Sequence, residues 1–187
     1  MRQDLLALLV FAIAAAATGC GSESGSASGA APIEKLSYAE NGHPLVTPTE
    51  NASVFVLESE LLRLVNDLRA SEGLDALVHW DVVAAVARAH SEHMCVHRFI
   101  NHVSPEGTTP GERMSMAGVV GSRVGENLAA GYAAPQDVLD SWLTSPGHRE
   151  NILRKEFTHG GAGYAADPAP TSAFPYIHYW TLNFCSP

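Results

Sequence analysis

Four features of this 187-residue chain carry side chains that can bind a metal or move a proton. They are His102 in FINHVSPEG, Glu126 in GENLAAG, His148 in SPGHREN, and the histidine-rich run HSEHMCVH at 90–97. Two histidines and one carboxylate are a common ligand set for zinc, which binds imidazole nitrogen and carboxylate oxygen. The first three residues therefore predict a site for zinc or another divalent metal, on the condition that the fold brings them together.

His148 follows Ser145-Pro146-Gly147, a sequence that predicts the start of a helix. Ser145 is expected to cap this helix, and Pro146 suits the first helical position because its missing N–H costs nothing there. His148 then lies in the first turn, where the peptide dipoles disfavour a protonated ring and lower its pKa. A neutral imidazole is what a metal ligand or a general base requires, although an ordinary hydrogen-bonding role stays open.

The run HSEHMCVH is the second candidate site. On a helix, His90, His93 and His97 fall within about 60° of one another, so that neighbouring rings on one face form a potential chelate. The run does not match the HExxH pattern of zinc proteases. We favour packing for His90 and partial exposure for His93 and His97, with a metal site as the alternative.

The helices that must position these residues are predicted by the spacing of apolar side chains and by capping residues. Leu61, Leu62, Val65 and Leu68 recur at helical spacing, and Gly73 ends that segment. Asp81 is a plausible cap for the next helix. The predicted helices run from Glu58 to Glu72, from Trp80-Asp81 through Met94, from Pro110 to Gly118, from Pro135 to Leu143, and onward from Ser145.

In the last third of the chain, the pattern of apolar residues changes from helical to strand-like spacing. GAGYAAD and YIHYWTLNF are rich in aromatic and β-branched residues and predict strands, with PAPTSAFP as the loop between them. GENLAAGY predicts a strand or an extended stretch. Helices first and antiparallel strands late indicate an α+β domain, with helices packed on a small antiparallel sheet.

The first twenty residues, MRQDLLALLVFAIAAAATGC, predict a secretory signal, because their apolar run is too short to cross a bilayer comfortably. Ala17-Thr18-Gly19-Cys20 resembles a bacterial lipobox, in which the cysteine becomes the lipidated first residue. We therefore expect residues 1–20 to be a lipoprotein signal peptide ending at a lipidated Cys20. An ordinary signal peptide with a chance cysteine is the alternative.

The rest of the chain divides into a tether and one domain. Residues 21–52 begin with GSESGSASGAAP and have few periodic apolar positions, so they predict a flexible tether and extended lead-in. Residues 53–187 are long enough for one domain with its own core. The expected location is the cell envelope, on the extracytoplasmic side, with the membrane as a partner through the lipid anchor.

The charge of the chain limits the kinds of partner it can bind, and its cysteine content bears on whether it forms a disulfide. The 20 acidic residues outnumber the 11 Lys and Arg, which excludes a nucleic-acid partner because phosphate binding needs concentrated positive charge. With Cys20 lipidated, Cys95 and Cys185 remain, and an even pair in an oxidising compartment predicts a disulfide. Two buried free thiols are the alternative.

The ordered succession ARAHSEHM, FINHVSPEG, ERM, GENLAAG, SWLTSPGHRENIL, GAGYA and YWTLNF resembles the CAP superfamily. This superfamily, whose domain is also called SCP, contains cysteine-rich secretory proteins, antigen 5 and plant pathogenesis-related proteins. The resemblance covers nearly everything from Leu57 to Phe184, and the bacterial secreted form is the most similar.

The resemblance implies a three-layer α-β-α sandwich with a central cleft that holds two histidines and two glutamates. His102 and His148 match the two cleft histidines, and Glu126 matches one glutamate. The second glutamate usually lies three residues after the tryptophan matched by Trp142, but this chain has Ser145 there. The cofactor that the resemblance suggests is zinc or another divalent metal, and the missing acid puts in doubt any mechanism that needs both carboxylates.

Three functions are compatible with these observations. We favour a lipid-anchored module whose cleft binds a small molecule, a lipid or an envelope protein, because the sequence has no GxSxG motif and lacks one acid. The alternative is a zinc-assisted, peptidase-like hydrolase in which His102, Glu126 and His148 hold the metal and the metal acidifies a bound water. A structural or stress-related surface protein with a vestigial cleft also stays open.

Overall fold

The computed structural model describes residues 52–120 and 123–187. The predicted signal peptide, Cys20 and nearly all of the predicted tether lie outside the described residues. Within the described ranges no helix is long and apolar enough to cross a membrane. The elements in chain order are α1 (Ala52–Ser71), β1 (Val78–His79), α2 (Asp81–His97), α3 (Pro110–Met116), β2 (Arg123–Ala130), α4 (Pro135–Thr144), α5 (Pro146–Leu153), β3 (His159–Ala166) and β4 (His178–Ser186).

The strands form one sheet in the order β1-β3-β4-β2. β4 pairs antiparallel with both β3 and β2, as the strand-rich end of the sequence predicts. β1 pairs parallel with β3, so the predicted small antiparallel sheet is extended by one short parallel strand and is mixed. A two-residue strand shows no alternation of polar and apolar residues, and for this reason the sequence gives no sign of β1.

Helices cover both faces of this sheet, which confirms the predicted α+β class. The main core lies between the sheet and α1, α4 and α5, and it contains Trp142 and Trp180, both fully buried. A second layer of buried residues joins α2 and α3 to the opposite face, where Val83, Met114 and Cys185 pack together. The result is three layers, with the sheet in the middle.

The α2 helix approaches β3 unusually closely because β3 presents glycines to it. A Cβ atom on Gly163 would lie 2.0 Å from the backbone nitrogen of Arg88, and one on Gly161 would lie 2.2 Å from that of Ala84. Neither distance is compatible with a side chain. These two glycines therefore set the depth at which α2, with its histidines, sits on the sheet.

The predicted helices are present, with corrections at the starts of three of them. Trp80 precedes α2, so Asp81 is its first helical residue and not its cap. α1 begins at Ala52, six residues before the predicted Glu58 and within the predicted lead-in. Ser145 occupies the position before α5, but its side chain makes no capping hydrogen bond. α5 therefore begins without the cap that its sequence predicts, and Pro146 alone marks its first turn.

The predicted disulfide between Cys95 and Cys185 is contradicted, since both cysteines are free. Cys185 packs beside Val83 near the beginning of α2, and Cys95 lies twelve residues farther along the same helix. At 1.5 Å of rise per residue this places them about 18 Å apart along the helix axis. A disulfide requires Cα atoms within about 7 Å of each other.

Candidate functional site

The centre of the candidate site is the carboxylate of Glu126, whose side chain is only 2% exposed. Its Oε1 lies 2.9 Å from Nδ1 of His102, and its Oε2 accepts a hydrogen bond of 2.7 Å from Nη2 of Arg113. The structure thus brings His102 and Glu126 into direct contact although 24 positions separate them. Both carboxylate oxygens have a partner within the protein.

The strand β2 decides where Glu126 points. Glu126 is paired with Asn183, and Asn183 with Gly161, which faces α2, so the carboxylate lies on the α2 side of the sheet. Successive side chains of a strand alternate between faces. Asn127 therefore points to the opposite face, toward α5, and β2 is the edge strand that both layers reach.

Arg113 is held in place by the way α3 begins. Thr109 and Glu112 form a reciprocal capping box, in which each side chain bonds the other residue's backbone N–H. Arg113 follows in the first turn, and its Nη1 donates to the carbonyl oxygens of His102 and Thr108, each at 3.0 Å. One guanidinium thus fixes both the carboxylate and the backbone of the loop that carries His102.

His148 reaches the same region from α5, on the other face of the sheet. Nδ2 of Asn127 donates to the carbonyl oxygen of His148 at 3.0 Å, and Nδ2 of Asn151 donates to Oδ1 of Asn127 at 2.9 Å. The half-buried imidazole lies with its centroid 6.3 Å from that of Trp142. These contacts attach the first turn of α5 to β2 beside Glu126.

The pKa of the His148 imidazole is lowered, first because the ring is partly buried and second because the charge of His102 opposes its protonation. The direction agrees with the sequence prediction, but the causes are burial and a neighbouring imidazole rather than the helix dipole. Because His102 acts on His148 in this way, the two rings share one electrostatic environment. The ring of His148 is neutral at pH 7.

The donor set present does not fit a zinc ion bound by all three residues. A ligating carboxylate must be within reach of the ion, but the Glu126 side chain is only 2% exposed and its oxygens already contact His102 and the cation of Arg113. Nδ1 of His102 is engaged as well, which leaves Nε2 of His102 and the imidazole of His148 as available donors. Across residues 52–120 and 123–187, no three His, Cys, Asp or Glu side chains are grouped as metal ligands.

His90, from the histidine-rich run, has a supporting role. It is 1% exposed, and its Nε2 donates to the carbonyl oxygen of Asn101 at 3.0 Å, directly before His102. Burial is the main cause that lowers its pKa to about 4, so the ring is neutral at pH 7. The packing interpretation of His90 agrees with this environment, and the ring also fixes the start of the loop that carries His102.

Arg113 is a member of this site that the sequence analysis did not single out. The signal was present in TPGER at 109–113, where Thr and Glu three residues apart predict a capping box. That pattern places an arginine in the first turn of a helix. It does not reveal that the arginine faces a buried carboxylate on a strand.

Comparison of the sequence with known proteins gives consistent matches. A model of the cysteine-rich secretory protein family, CAP, matches residues 62–184, in agreement with the resemblance read from the motifs. The chain is 36% identical over 118 residues to the uncharacterised protein YkwD of Bacillus subtilis, covering 63% of this chain and 46% of that protein. It is 36% identical over 107 residues to the uncharacterised membrane protein YlbC of the same species, covering 57% and 31%. The chain thus matches less than half the length of each of these relatives.

Solved structures show the same fold. An extracellular protein of Bacillus anthracis that contains an SCP domain has a TM-score of 0.64 and 28% identity, covering 75% of this chain and 45% of that chain. An outer surface protein of Borrelia burgdorferi has a TM-score of 0.59 and 24% identity, covering 68% and 90%. The second likeness concerns the fold alone.

Proposed function

The chain belongs to the CAP family of cysteine-rich secretory proteins, and we propose that it is a lipid-anchored, extracytoplasmic binding module of the cell envelope. Its cleft around His102, Glu126 and His148 binds a small molecule, a lipid or an envelope protein. The match to an extracellular protein of Bacillus anthracis supports the extracytoplasmic location. The lipobox-like sequence that ends at Cys20 supports the anchor.

The observation that carries this proposal is the environment of Glu126, whose side chain is buried between His102 and Arg113. A general base must come within about 3 Å of the group whose proton it takes. Here one oxygen meets His102, the other meets Arg113, and the side chain is 2% exposed. The carboxylate therefore orients the two partners and is not offered to a ligand.

The two imidazoles are the groups that a ligand meets. The side chain of His102 is 48% exposed, and its Nδ1 is held by Glu126, which leaves Nε2 directed away from the carboxylate. His148 is half-buried and neutral at pH 7, so it offers one N–H donor and one nitrogen acceptor. A ligand with an adjacent hydroxyl, amide or carbonyl group matches this pair of rings.

The zinc-hydrolase alternative has less support because of the same bonds. Zinc bound by all three residues places a second cation beside the carboxylate that Arg113 already faces, and displacing Arg113 leaves a buried carboxylate without its cation. With two imidazoles as the available donors, the cleft lacks the three ligands of a catalytic zinc site.

The binding proposal is tested with lipids extracted from cell envelopes. The full chain is incubated with the detergent-solubilised extract, separated by size-exclusion chromatography, and its bound lipids are identified by mass spectrometry. We expect the wild type to retain a defined species and the His102→Ala/His148→Ala variant to lose at least tenfold of it. His79→Ala is the matched control, because His79 is exposed and its imidazole lies 3.0 Å from Asp81, a residue outside the cleft.

A parallel crosslinking experiment in cells covers a protein ligand. A photoreactive side chain at Val103, an exposed neighbour of His102, is expected to capture a defined envelope protein. The proposal fails if neither experiment yields a ligand. It also fails if the ligand is retained equally by the wild type and by the double histidine variant.

The anchor is tested separately. With lipidation, the wild-type chain is expected in the membrane fraction and Cys20→Ser in the soluble extracytoplasmic fraction. Equal partitioning of the two proteins contradicts the anchor but leaves the binding cleft untouched.

A further inference from the structure

A second group of potential ligands lies at the C-terminal end of α2, apart from Glu126. His93 is 8% exposed, and its Nε2 is fully buried without a hydrogen-bond partner. The nearest acidic group is Glu106, whose Oε1 lies 3.4 Å from that nitrogen. Phe99 and His97 pack edge-on against the ring, with centroids at 5.2 and 4.5 Å, and hold it in this orientation.

The distance between His93 and Glu106 is informative. A good N–H···O hydrogen bond spans 2.7–3.2 Å, and this pair is longer and not aligned as one. Two donor atoms bound to one tetrahedral zinc at about 2.0–2.1 Å are separated by roughly 3.4 Å. The separation of Nε2 from Oε1 matches that of two ligands on one ion, and an ion there would give the buried nitrogen the partner that it lacks.

His97 supplies the third donor. It lies four residues after His93, which places both rings on the same face of α2, as in the paired histidines of helical zinc sites. The described part of the chain holds no three such side chains already closed around one point, so His97 must rotate to complete the set. Its exposed position leaves room for that rotation.

We propose that His93, His97 and Glu106 form a binding site for a divalent transition-metal ion, with Zn²⁺ as the best match. Imidazole and carboxylate donors suit zinc, and water fills the fourth position. This site is separate from the His102–Glu126–His148 cleft, and it does not depend on the proposed binding function.

The bound ion restrains the loop that carries His102. Glu106 lies in a turn in which Gly107 donates to the carbonyl oxygen of Ser104 at 2.8 Å, and Ser104 donates to that of Thr108 at 3.0 Å. Arg113 binds the far end of that turn through Thr108. Metal at Glu106 therefore joins the turn to α2 and restricts the motion of the cleft loop.

The test measures zinc binding to the purified full chain after metal removal with a chelator, by isothermal titration calorimetry with ZnCl₂. We expect His97→Ala and Glu106→Gln each to weaken zinc binding at least tenfold, since each removes an exposed ligand without opening the core. Circular dichroism and urea unfolding without metal show whether the variants are folded. Tetrahedral Co²⁺ absorption gives a second readout, which we expect Glu106→Gln to abolish.

Two control variants separate this site from the cleft and from the general surface. His148→Ala removes a cleft imidazole, and His79→Ala removes an exposed histidine elsewhere. Both are expected to bind zinc with wild-type affinity. The proposal is overturned if the folded His97→Ala and Glu106→Gln variants bind zinc as the wild type does, or if only His148→Ala loses binding.

Discussion

Replacing Arg113 by alanine removes the cation that faces the buried carboxylate of Glu126. The arginine makes three polar contacts, at 2.7 Å to Oε2 of Glu126 and at 3.0 Å to the carbonyl oxygens of His102 and Thr108. Its side chain is 11% exposed and that of the glutamate 2%. The substitution therefore leaves a nearly inaccessible carboxylate with His102 as its sole side-chain partner among those described.

The size of the effect follows from that burial. Breaking a buried ion pair by removing one partner costs about 3–5 kcal/mol, because the remaining charge keeps its desolvation penalty. An exposed ion pair contributes only about 0–1 kcal/mol. We expect Arg113→Ala to lower the free energy of unfolding by about 3–5 kcal/mol, a large part of the 5–15 kcal/mol of a typical domain.

Urea unfolding at pH 7, followed by circular dichroism, measures this loss. Arg63→Ala is the matched control, because Arg63 also pairs with carboxylates but is 54% exposed on α1, and we expect a change within about 1 kcal/mol. Adding Glu126→Gln to Arg113→Ala removes the stranded charge and is expected to recover part of the loss. A loss of less than about 1 kcal/mol for Arg113→Ala refutes the reasoning, as does the lack of any recovery.

Three further expectations concern burial and packing. Because burial lowers the pKa of His90 from 6.5 to about 4, the unfolded chain binds the proton first, and stability should fall by about 3 kcal/mol between pH 7 and pH 4. Urea unfolding across this range is expected to show a weaker pH dependence for His90→Gln. Gly163→Ala should lower the unfolding free energy by about 3 kcal/mol or more, since its Cβ meets the backbone of Arg88 at 2.0 Å. Mass spectrometry after alkylation of the denatured, unreduced protein should find both Cys95 and Cys185 modified.

Each of these has a result that contradicts it. An unchanged pH dependence in His90→Gln removes His90 as a cause of acid destabilisation. Gly147→Ala is the control for the glycine, because no atom lies within 4 Å of its added Cβ, and a similar loss in both variants argues against a clash with α2. If Cys95 and Cys185 are both protected from alkylation, the two cysteines are joined in a disulfide, contrary to the structure.

Local patterns were sufficient to predict most of the helices and strands. The apolar period of Leu61, Leu62 and Val65 reports a helix directly, because burying one face of α1 requires that spacing. Pro146 likewise marks the first turn of α5, since proline is tolerated there and excluded farther inside. The family was identified from the resemblance of the motifs, because the periodicity of apolar residues alone does not indicate a family.

Long-range geometry is what the sequence left open. The even number of remaining cysteines predicted a disulfide, but a count of cysteines gives no information on the distance between them. In the structure, much of the length of α2 separates Cys95 from Cys185. Periodicity also misses β1, which exists because Val78 and His79 meet the edge of β3, an interaction outside their own neighbourhood.

By itself, the sequence determined the helices, the three long strands, the family and the side chains able to do chemistry, because these depend on residue type and on spacing within one helix or strand. Only the tertiary structure decided that Arg113 contacts the second oxygen of Glu126, and with it that the buried carboxylate orients its neighbours. The physical reason is that a buried charge requires a partner of opposite charge. The packing of α3 against β2 places Arg113 in that position beside Glu126.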